Sequence, residues 1–301
     1  MEYNVYKLVT GETDEKEVVL READENRQSF NVYRLPFGLK LLKETRGCFY
    51  LTFITTLWAY NSYFIPTLVL GPMYRDQQLG IWALWVFLCL SALTFVSLVK
   101  SSTSDPGFIS LHNRATTADQ INWTHCKKCL IQRPLKSHHC SRCNRCVRRM
   151  DHHCPWINNC IGEDNQWIFV LLLLYGLLLS GCALLLDVLH FYYFKPCSVC
   201  DKDSFLWRHQ RYLMYGCFGS GMLLGFFCIS QFVTQVFNIS MDKTTVESLI
   251  YGNRPLHEQP KVTKTVMDNF HDVFGRGRII CWLNPLRKRR GRNIIVYADV
   301  A

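Results

Sequence analysis

Several features of secreted and repetitive proteins are absent from this chain of 301 residues. The first 47 residues are polar and charged and contain no apolar core, so we expect no cleavable signal peptide. No internal repeat or low-complexity tract is present, which removes repeat architectures from consideration. Four long apolar runs contain no Lys or Arg, and Asp187 is their only acidic residue. This scarcity disfavours a transporter or channel, because ion pathways place ionisable side chains inside the membrane.

The four apolar runs predict an all-α polytopic membrane protein. Each is long enough for a helix to cross a hydrocarbon core of roughly 30 Å. The runs are Cys48–Leu70, Leu79–Val99, Trp167–Leu189 and Tyr212–Val233. We therefore expect four transmembrane helices, with a small Cys-rich domain between helices 2 and 3. The expected segments are an N-terminal tail (1–47), helices 1 and 2 (48–99), the Cys-rich domain (100–166), helices 3 and 4 (167–233) and a C-terminal tail (234–301).

The distribution of Lys and Arg predicts which side of the membrane each segment faces. Residues 1–47 contain eight, Ser101–Gln166 nine, and the tail after Asn238 eleven. The loop around Arg75 contains one, and Phe191–Gln210 contains three. Because basic connecting segments stay in the cytosol, both termini and the Cys-rich domain are expected there. The net charge of +10 then favours contact with anionic lipid head groups over nucleic-acid binding.

Seven cysteines and five histidines are concentrated in Thr124–Cys160. Three Cys-x2-Cys steps in one short stretch indicate zinc, because a tight turn directs two thiolates at one tetrahedral ion. Two such sites need eight ligands, which six cysteines and two histidines would supply. The spare cysteine is best assigned to Cys154, which ends the Asp-His-His-Cys tetrapeptide Asp151–Cys154 and so follows a candidate base. The alternative is that Cys154 is itself a zinc ligand and another residue is spared.

The complete pattern resembles that of the DHHC-type protein S-acyltransferases, or palmitoyltransferases, over most of residues 48–275. In the Cys-rich domain the matching residues are Arg133-Pro134, His139-Cys140, Asp151–Cys154, Pro155-Trp156, Asn158-Asn159-Cys160 and Asn165. Three shorter motifs also match in order: Asp105-Pro106-Gly107, Thr244-Thr245-Val246-Glu247 and Asn269-x3-Val273-Phe274-Gly275.

This resemblance implies an enzyme that transfers a long-chain acyl group, typically palmitoyl, from acyl-CoA to cysteines of membrane-associated proteins. It implies a ping-pong mechanism in which Cys154 is acylated, CoA leaves, and a substrate cysteine takes the acyl group. One thioester replaces another, so the free-energy change is small. A free thiol with a pKa of about 8.5 is mostly protonated at neutral pH. His152 would therefore take the proton of Cys154, while Asp151 orients the ring.

The resemblance also implies how the eight zinc ligands pair. One zinc would be held by Cys126, Cys129, His139 and Cys146, and the other by Cys140, Cys143, His153 and Cys160. Both ions would be structural, since four protein ligands leave no open position for a substrate. Adjacent side chains of an extended segment point to opposite faces. His153 can therefore face a zinc while His152 faces Cys154.

Trp156 and the motif Thr244–Glu247 have two interpretations each. Trp156 is placed to contact the thioester or the first methylenes of the acyl chain, or it packs beside a zinc site. By resemblance, Thr244, Thr245 and Glu247 pack under the active site and reach its carboxylate. Thr244 and Glu247 also form the pattern of a helix capping box. Asn269 is expected to brace the C-terminal tail against the helix bundle.

A membrane-anchored zinc-binding adaptor or RING-like ubiquitin ligase is the competing class, but it leaves Asp151–Cys154 and Thr244–Glu247 unexplained. Gly221-x3-Gly225 allows close helix approach within the bundle, and self-association is its second interpretation. Cys197 and Cys200 lie on the expected lumenal side, where a disulfide is compatible with the compartment. The Golgi is the commonest location in the family, with the endoplasmic reticulum and plasma membrane as alternatives.

Overall fold

The computed structural model of the chain describes residues 32–36, 39–109, 123–195, 197–198, 200–201, 203–252 and 264–288. The predicted tails 1–47 and 234–301 therefore lie partly outside the described residues. Within those residues the fold is mostly helical, as the apolar runs predict, with short hairpins in and near the Cys-rich domain.

Eight helices occur among the described residues, and four of them are long. The helices are α1 (Thr45–Ile65), α2 (Gly71–Arg75), α3 (Ile81–Thr103), α4 (Gln166–Tyr192), α5 (Phe205–Arg208), α6 (Gln210–Ser240), α7 (Thr245–Tyr251) and α8 (Val266–Phe274). A π-helical turn, Pro66–Leu70, joins α1 to α2. Its position follows from Pro66, because proline has no backbone N–H and removes one bond of the regular helix ladder.

Three of these helices, α3, α4 and α6, have the length and apolar composition needed to cross a membrane. They coincide with the second, third and fourth predicted spans, with ends that differ by one to seven residues. The first predicted span, Cys48–Leu70, is also helical, but four threonines, three tyrosines and Asn61 make α1 less apolar. A fourth crossing by α1 therefore stays a prediction.

The helix α4 is the most buried of the three candidate spans and forms the centre of the bundle. The backbone of α6 approaches it closely at Gly221 and Gly225, where an added Cβ would meet side chains of α4 at 3.2 and 3.3 Å. The two glycines thus serve packing inside the bundle, which is the first of their two interpretations. Asn61 of α1 donates a hydrogen bond to Ser220 of α6 at 2.7 Å, which ties these helices together.

The strands form four separate antiparallel hairpins. The pairs are β1 (Val32–Arg34) with β2 (Lys40–Leu42), β3 (Thr124–Cys126) with β4 (Ile131–Arg133), β5 (His138–Cys140) with β6 (Arg145–Val147), and β7 (His152–Cys154) with β8 (Asn159–Ile161). The sequence predicts only an extended or turn-rich segment here. In the β3–β4 and β5–β6 turns, the residue after the second cysteine has a positive φ, 57° at Leu130 and 53° at Asn144. This left-handed residue closes each Cys-x2-Cys turn.

The motif Asp105-Pro106-Gly107 joins the end of α3 to the Cys-rich domain. Asp105 Oδ1 accepts hydrogen bonds from the backbone N–H groups of Gly107 and Phe108 at 2.8 and 2.9 Å. The carbonyl of Gly107, whose φ is +98°, accepts a bond of 2.8 Å from the Arg148 N–H. Glycine adopts this φ without strain, so the turn is a structural connection between α3 and the metal-binding hairpins.

We expect Gly162→Ala to lower the melting temperature of the purified protein. An added Cβ would lie 2.4 Å from the Pro106 carbonyl oxygen and 2.5 Å from a Val147 methyl group. Overpacking of this kind costs about 1–3 kcal/mol. Gly181→Ala in α4 is the matched control, because its Cβ meets nothing within 4 Å and alanine favours the helix. Equal melting temperatures for the two variants would contradict the close approach at Gly162.

Candidate active site

The tetrapeptide Asp151–Cys154 lies at the junction of the β7–β8 hairpin with the helix bundle. Cys154 is 3% exposed and packs against Leu98, Ile157 and Phe169. Because side chains alternate along a strand, His152 and Cys154 share one face of β7 and His153 faces the other way. His152 and His153 are neighbours in the chain, and the strand conformation therefore directs their side chains to opposite faces.

The carboxylate of Asp151 is fully buried and accepts hydrogen bonds from three residues. Its Oδ2 accepts from His152 Nδ1 at 2.6 Å, from Gln235 Nε2 at 2.7 Å and from Thr245 Oγ1 at 3.1 Å. Its Oδ1 accepts from the Thr245 backbone N–H at 2.8 Å. Although burial alone would raise it, these bonds hold the pKa of Asp151 below its usual value. The carboxylate is therefore ionised and fixed in position.

The imidazole of His152 lies between the carboxylate and the thiol. Its Nδ1 bonds to Asp151, which leaves Nε2 as the ring nitrogen available to Cys154. Burial alone would lower the pKa of His152, but the bonds with Asp151 and Cys154 raise it to about 10. The ring of Phe169 packs edge-on against it at 5.4 Å between centroids. His152 can thus hold a proton taken from the neighbouring thiol.

The motif Thr244–Glu247 makes two sets of hydrogen bonds, one at the start of α7 and one to Asp151. Glu247 Oε2 accepts from the Thr244 N–H at 3.0 Å, and Thr244 Oγ1 accepts from the Glu247 N–H at 3.1 Å. This reciprocal capping box starts α7. It also places the next residue, Thr245, so that its backbone and hydroxyl both reach Asp151. The cap therefore positions the residue that holds the carboxylate.

Three further polar residues of the site were not among the predicted candidates. Gln166 Nε2 donates to Gln235 Oε1 at 3.1 Å, which turns the Gln235 amide nitrogen towards Asp151. Asn238 Nδ2 donates to Thr245 Oγ1 at 3.0 Å. The sequence signal that could have found two of them is that Gln235 and Asn238 are polar residues three positions apart, and therefore lie on one face of the helix α6.

Eight Cys and His side chains form two compact groups. In each group the ligand atoms all lie within 4.8 Å of one another. One group contains Cys126, Cys129, His139 and Cys146, and the other contains Cys140, Cys143, His153 and Cys160. These are the two sets that the family resemblance implies, and three thiolates with one imidazole fit a structural zinc ion. Among the described residues, Cys154 belongs to neither group.

Trp156 and Asn269 occupy supporting positions. The ring of Trp156 contacts Tyr50 of α1 at 4.8 Å and Phe227 of α6 at 5.4 Å between centroids. It lines the same cavity as Cys154. Asn269 is fully buried and donates to the Ser240 carbonyl oxygen at 3.1 Å. This bond joins α8 to the end of α6.

An apolar cavity begins at Cys154 and extends between α1, α3, α4 and α6. The space between its lining residues that is not occupied by atoms is about 800 Å³, a volume that includes its opening to solvent. Along α4 its lining residues run from Phe169 to Ala183, which at 1.5 Å per residue corresponds to about 21 Å. Asn61 and Gly221 also line it. A long, narrow and almost wholly apolar space of this kind suits a hydrocarbon chain.

Comparison with known proteins gives consistent matches. A family model described as DHHC palmitoyltransferase matches residues 119–251. Palmitoyltransferase ZDHHC21 of Danio rerio is 39% identical over 252 residues, which cover 83% of this chain and 94% of that protein. The Mus musculus ZDHHC21 is 38% identical over 239 residues, 79% of this chain and 88% of that protein. Palmitoyltransferase ZDHHC3 of Homo sapiens is 32% identical over 252 residues, 79% of this chain and 80% of that protein.

We expect the purified protein to contain two zinc ions per chain, because two complete ligand groups are present. Cys126→Ser and Cys140→Ser should each reduce the content to about one, since each removes a ligand of a different group. Cys154→Ser should retain both ions and serves as the matched control. Elemental analysis that finds fewer than two ions in the unaltered protein would contradict the assignment.

Proposed function

The chain belongs to the DHHC palmitoyltransferase family, and on this premise we propose that Cys154 carries the acyl group during transfer. The protein is an S-acyltransferase that transfers palmitoyl groups to proteins. The observation that carries the assignment is the position of Cys154, which combines contact with His152 and a place at the start of the apolar cavity. The competing class of adaptor or ubiquitin ligase gains no support from the relatives.

In the proposed mechanism, His152 accepts the Cys154 proton and the thiolate attacks the carbonyl carbon of acyl-CoA. The new thioester forms on Cys154, and CoA leaves as a thiol with a proton returned from His152. A cysteine thiol of the protein substrate then attacks the acyl-enzyme, again with His152 as base, and regenerates the Cys154 thiol. Asp151 holds the ring and stabilises the imidazolium through the 2.6 Å bond to Nδ1.

We assign the apolar cavity to the acyl chain. Its wall begins at the nucleophile and runs deep into the bundle along α4. Each methylene removed from water contributes about 0.8 kcal/mol, so a palmitoyl chain held here would account for much of the affinity for acyl-CoA. Trp156 lies beside Cys154 on this wall, where it would contact the first methylenes.

We assign zinc to both Cys/His groups in a structural role. A closed set of four protein ligands supplies folding energy and offers no position to a substrate. The strand β7 contains His153, a member of the second group, together with His152 and Cys154. The metal would therefore fix the strand on which the nucleophile and its base are placed.

We propose four membrane crossings, with both termini and the active site in the cytosol of an endomembrane such as the Golgi. The basic segments support this orientation. Cys197 and Cys200, in the loop between α4 and α5, form a disulfide, whereas the metal-binding cysteines form none. Disulfides persist in the lumen and free thiols in the cytosol, so the two sets fit opposite sides. Membrane-associated proteins with cysteines near the cytosolic surface are the substrates that this geometry favours.

The two neighbouring histidines provide the sharpest test. We expect His152→Ala to retain both zinc ions but to lose acylation of Cys154 by about 10²–10⁴-fold, because the base is removed and no zinc ligand is changed. His153→Ala should instead lose one zinc ion and melt at a lower temperature, with inactivity as a consequence. Zinc content, thermal unfolding and hydroxylamine-sensitive acyl labelling distinguish the two.

A reversed result, in which His152→Ala loses metal and His153→Ala keeps it, would exchange the two roles. Retention of two zinc ions by both variants would contradict the ligand groups. Cys154→Ala is the control for labelling, because it removes the proposed attachment atom and should abolish the signal.

Ala183→Leu should shift the acyl preference of the enzyme from palmitoyl towards shorter chains. Ala183 is 2% exposed and lines the cavity at its inner end, so added bulk shortens the space. Gly181→Leu is the matched control, because Gly181 is exposed on the same helix and lies outside the cavity. Labelling from competing acyl-CoA chains of different length measures the shift. An unchanged preference in Ala183→Leu would remove the acyl chain from this end of the cavity.

A further inference from the structure

The carboxylate of Glu44, the residue before α1, lies against the second Cys/His group. Its Oε2 accepts a hydrogen bond from His153 Nε2 at 3.1 Å, and its Oε1 accepts one from Arg142 Nη1 at 3.2 Å. Arg142 lies within the Cys140-x2-Cys143 turn. A single carboxylate therefore contacts both the histidine of this group and the turn that supplies two of its thiols.

Glu44 occupies the N-cap position of α1, yet its side chain makes no cap bond to the helix. An acidic side chain at this position commonly bonds the free N–H groups of the first turn. The Glu44 side chain is only 16% exposed, so it is not simply solvated. Its direction is explained by the bonds to His153 and Arg142.

The two ring nitrogens of His153 have different partners. Its Nδ1 faces the thiols, at 3.5 Å from the Sγ atoms of both Cys143 and Cys160. Its Nε2 faces Glu44. A metal-bound histidine usually donates its other N–H to a carboxylate, which fixes the tautomer and ring orientation and raises the basicity of the ligating nitrogen. The arrangement of His153 between thiols and carboxylate has this form.

We propose that Glu44 is the outer-shell partner of the second zinc site, and that it acts as a positioning residue that couples this site to α1. The inference rests on the proposed zinc occupancy of the Cys140, Cys143, His153 and Cys160 group. It adds a residue from outside the Cys-rich domain, 109 positions away from His153 in the chain.

Neighbouring contacts support the coupling. Asn158 Nδ2 donates to the Leu42 carbonyl oxygen at 2.7 Å. An added Cβ on Gly47, in the first turn of α1, would lie 2.1 Å from Asn158 Oδ1, so helix and hairpin touch directly. Leu42 packs against the buried thiols of the second group. The start of α1 is thus held against the metal-binding hairpins on both sides of Glu44.

The contact of Glu44 with the second group also bears on the apolar cavity, because α1 forms part of the wall of that cavity. Ile54 and Trp58 of this helix line the cavity, and Tyr50 contacts Trp156. Weakening the second zinc site would therefore loosen the cavity wall as well as the strand that carries Cys154. Because activity would be lost whenever the metal is lost, activity does not isolate the role of Glu44. The test must therefore measure the metal site itself.

The test measures alkylation of individual cysteines in the purified full-length protein, by peptide mass spectrometry, in the presence of a zinc chelator. Zinc-bound thiolates react slowly, so the labelling rate reports release of each ion. We expect Glu44→Ala to accelerate labelling by roughly 10–100-fold at one group alone, as outer-shell substitutions do for metal affinity. The accelerated cysteines should be Cys140, Cys143 and Cys160, and the unchanged ones Cys126, Cys129 and Cys146.

Two further variants isolate the bond to His153. Glu44→Gln keeps an acceptor oxygen and should show a much smaller acceleration, which also keeps the test valid if Glu44→Ala folds poorly. Arg142→Ala removes the other partner of the carboxylate and should label at nearly the rate of the unaltered protein. An equal effect of Arg142→Ala and Glu44→Ala would overturn the positioning role, because the ion pair alone would then explain it.

The unaltered protein is measured first, so that failure of the zinc assignment is seen separately. Fewer than two zinc ions in that protein would contradict the proposed function's metal sites and, with them, this inference. Two zinc ions combined with unchanged labelling in Glu44→Ala would overturn the role of Glu44 alone. Equal acceleration at all six cysteines would also overturn it, since general destabilisation would then be the cause.

Discussion

One buried charge, the carboxylate of Asp151, connects three parts of the protein that meet at the proposed active site. It joins the β7–β8 hairpin through His152, the long helix α6 through Gln235, and α7 through Thr245. Moving an ion out of water is costly unless its lone pairs are satisfied, and here three residues satisfy them. Hydrogen bonds to a charged group are worth about 1.5–3 kcal/mol each. Removal of one donor therefore disturbs both the fold and the alignment of His152.

Local patterns in the sequence predict much of this arrangement. Helices α3, α4 and α6 follow from apolar length, and the two metal groups follow from Cys-x2-Cys spacing together with the family resemblance. The capping box of Thr244 and Glu247 is equally local, since its partners are three residues apart. These features depend on residues that are close in the chain, where spacing fixes geometry.

The remaining features depend on pairs that are far apart in the chain. Gln235 lies 84 positions from Asp151, and Glu44 lies 109 positions from His153. No periodicity links such residues, because their contact is created by the packing of α1 and α6 against the hairpins. The residues that line the cavity are not predicted for the same reason, since its wall is assembled from four helices. The short strands are likewise not predicted, because a strand of three residues is too short to show an alternation of apolar and polar residues.

The burial of Cys154 has a consequence for timing. A thioester in water is lost slowly but steadily to hydrolysis, and an enzyme that forms one before its acceptor arrives risks wasting it. Cys154 is 3% exposed and packs against Leu98 and Phe169, so in the proposed acyl-enzyme its thioester would lie away from bulk solvent. Exclusion of water protects reactive intermediates. The proposed acyl-enzyme would thus persist between encounters with acceptor proteins, and those proteins would then need neither tight binding nor a shared sequence.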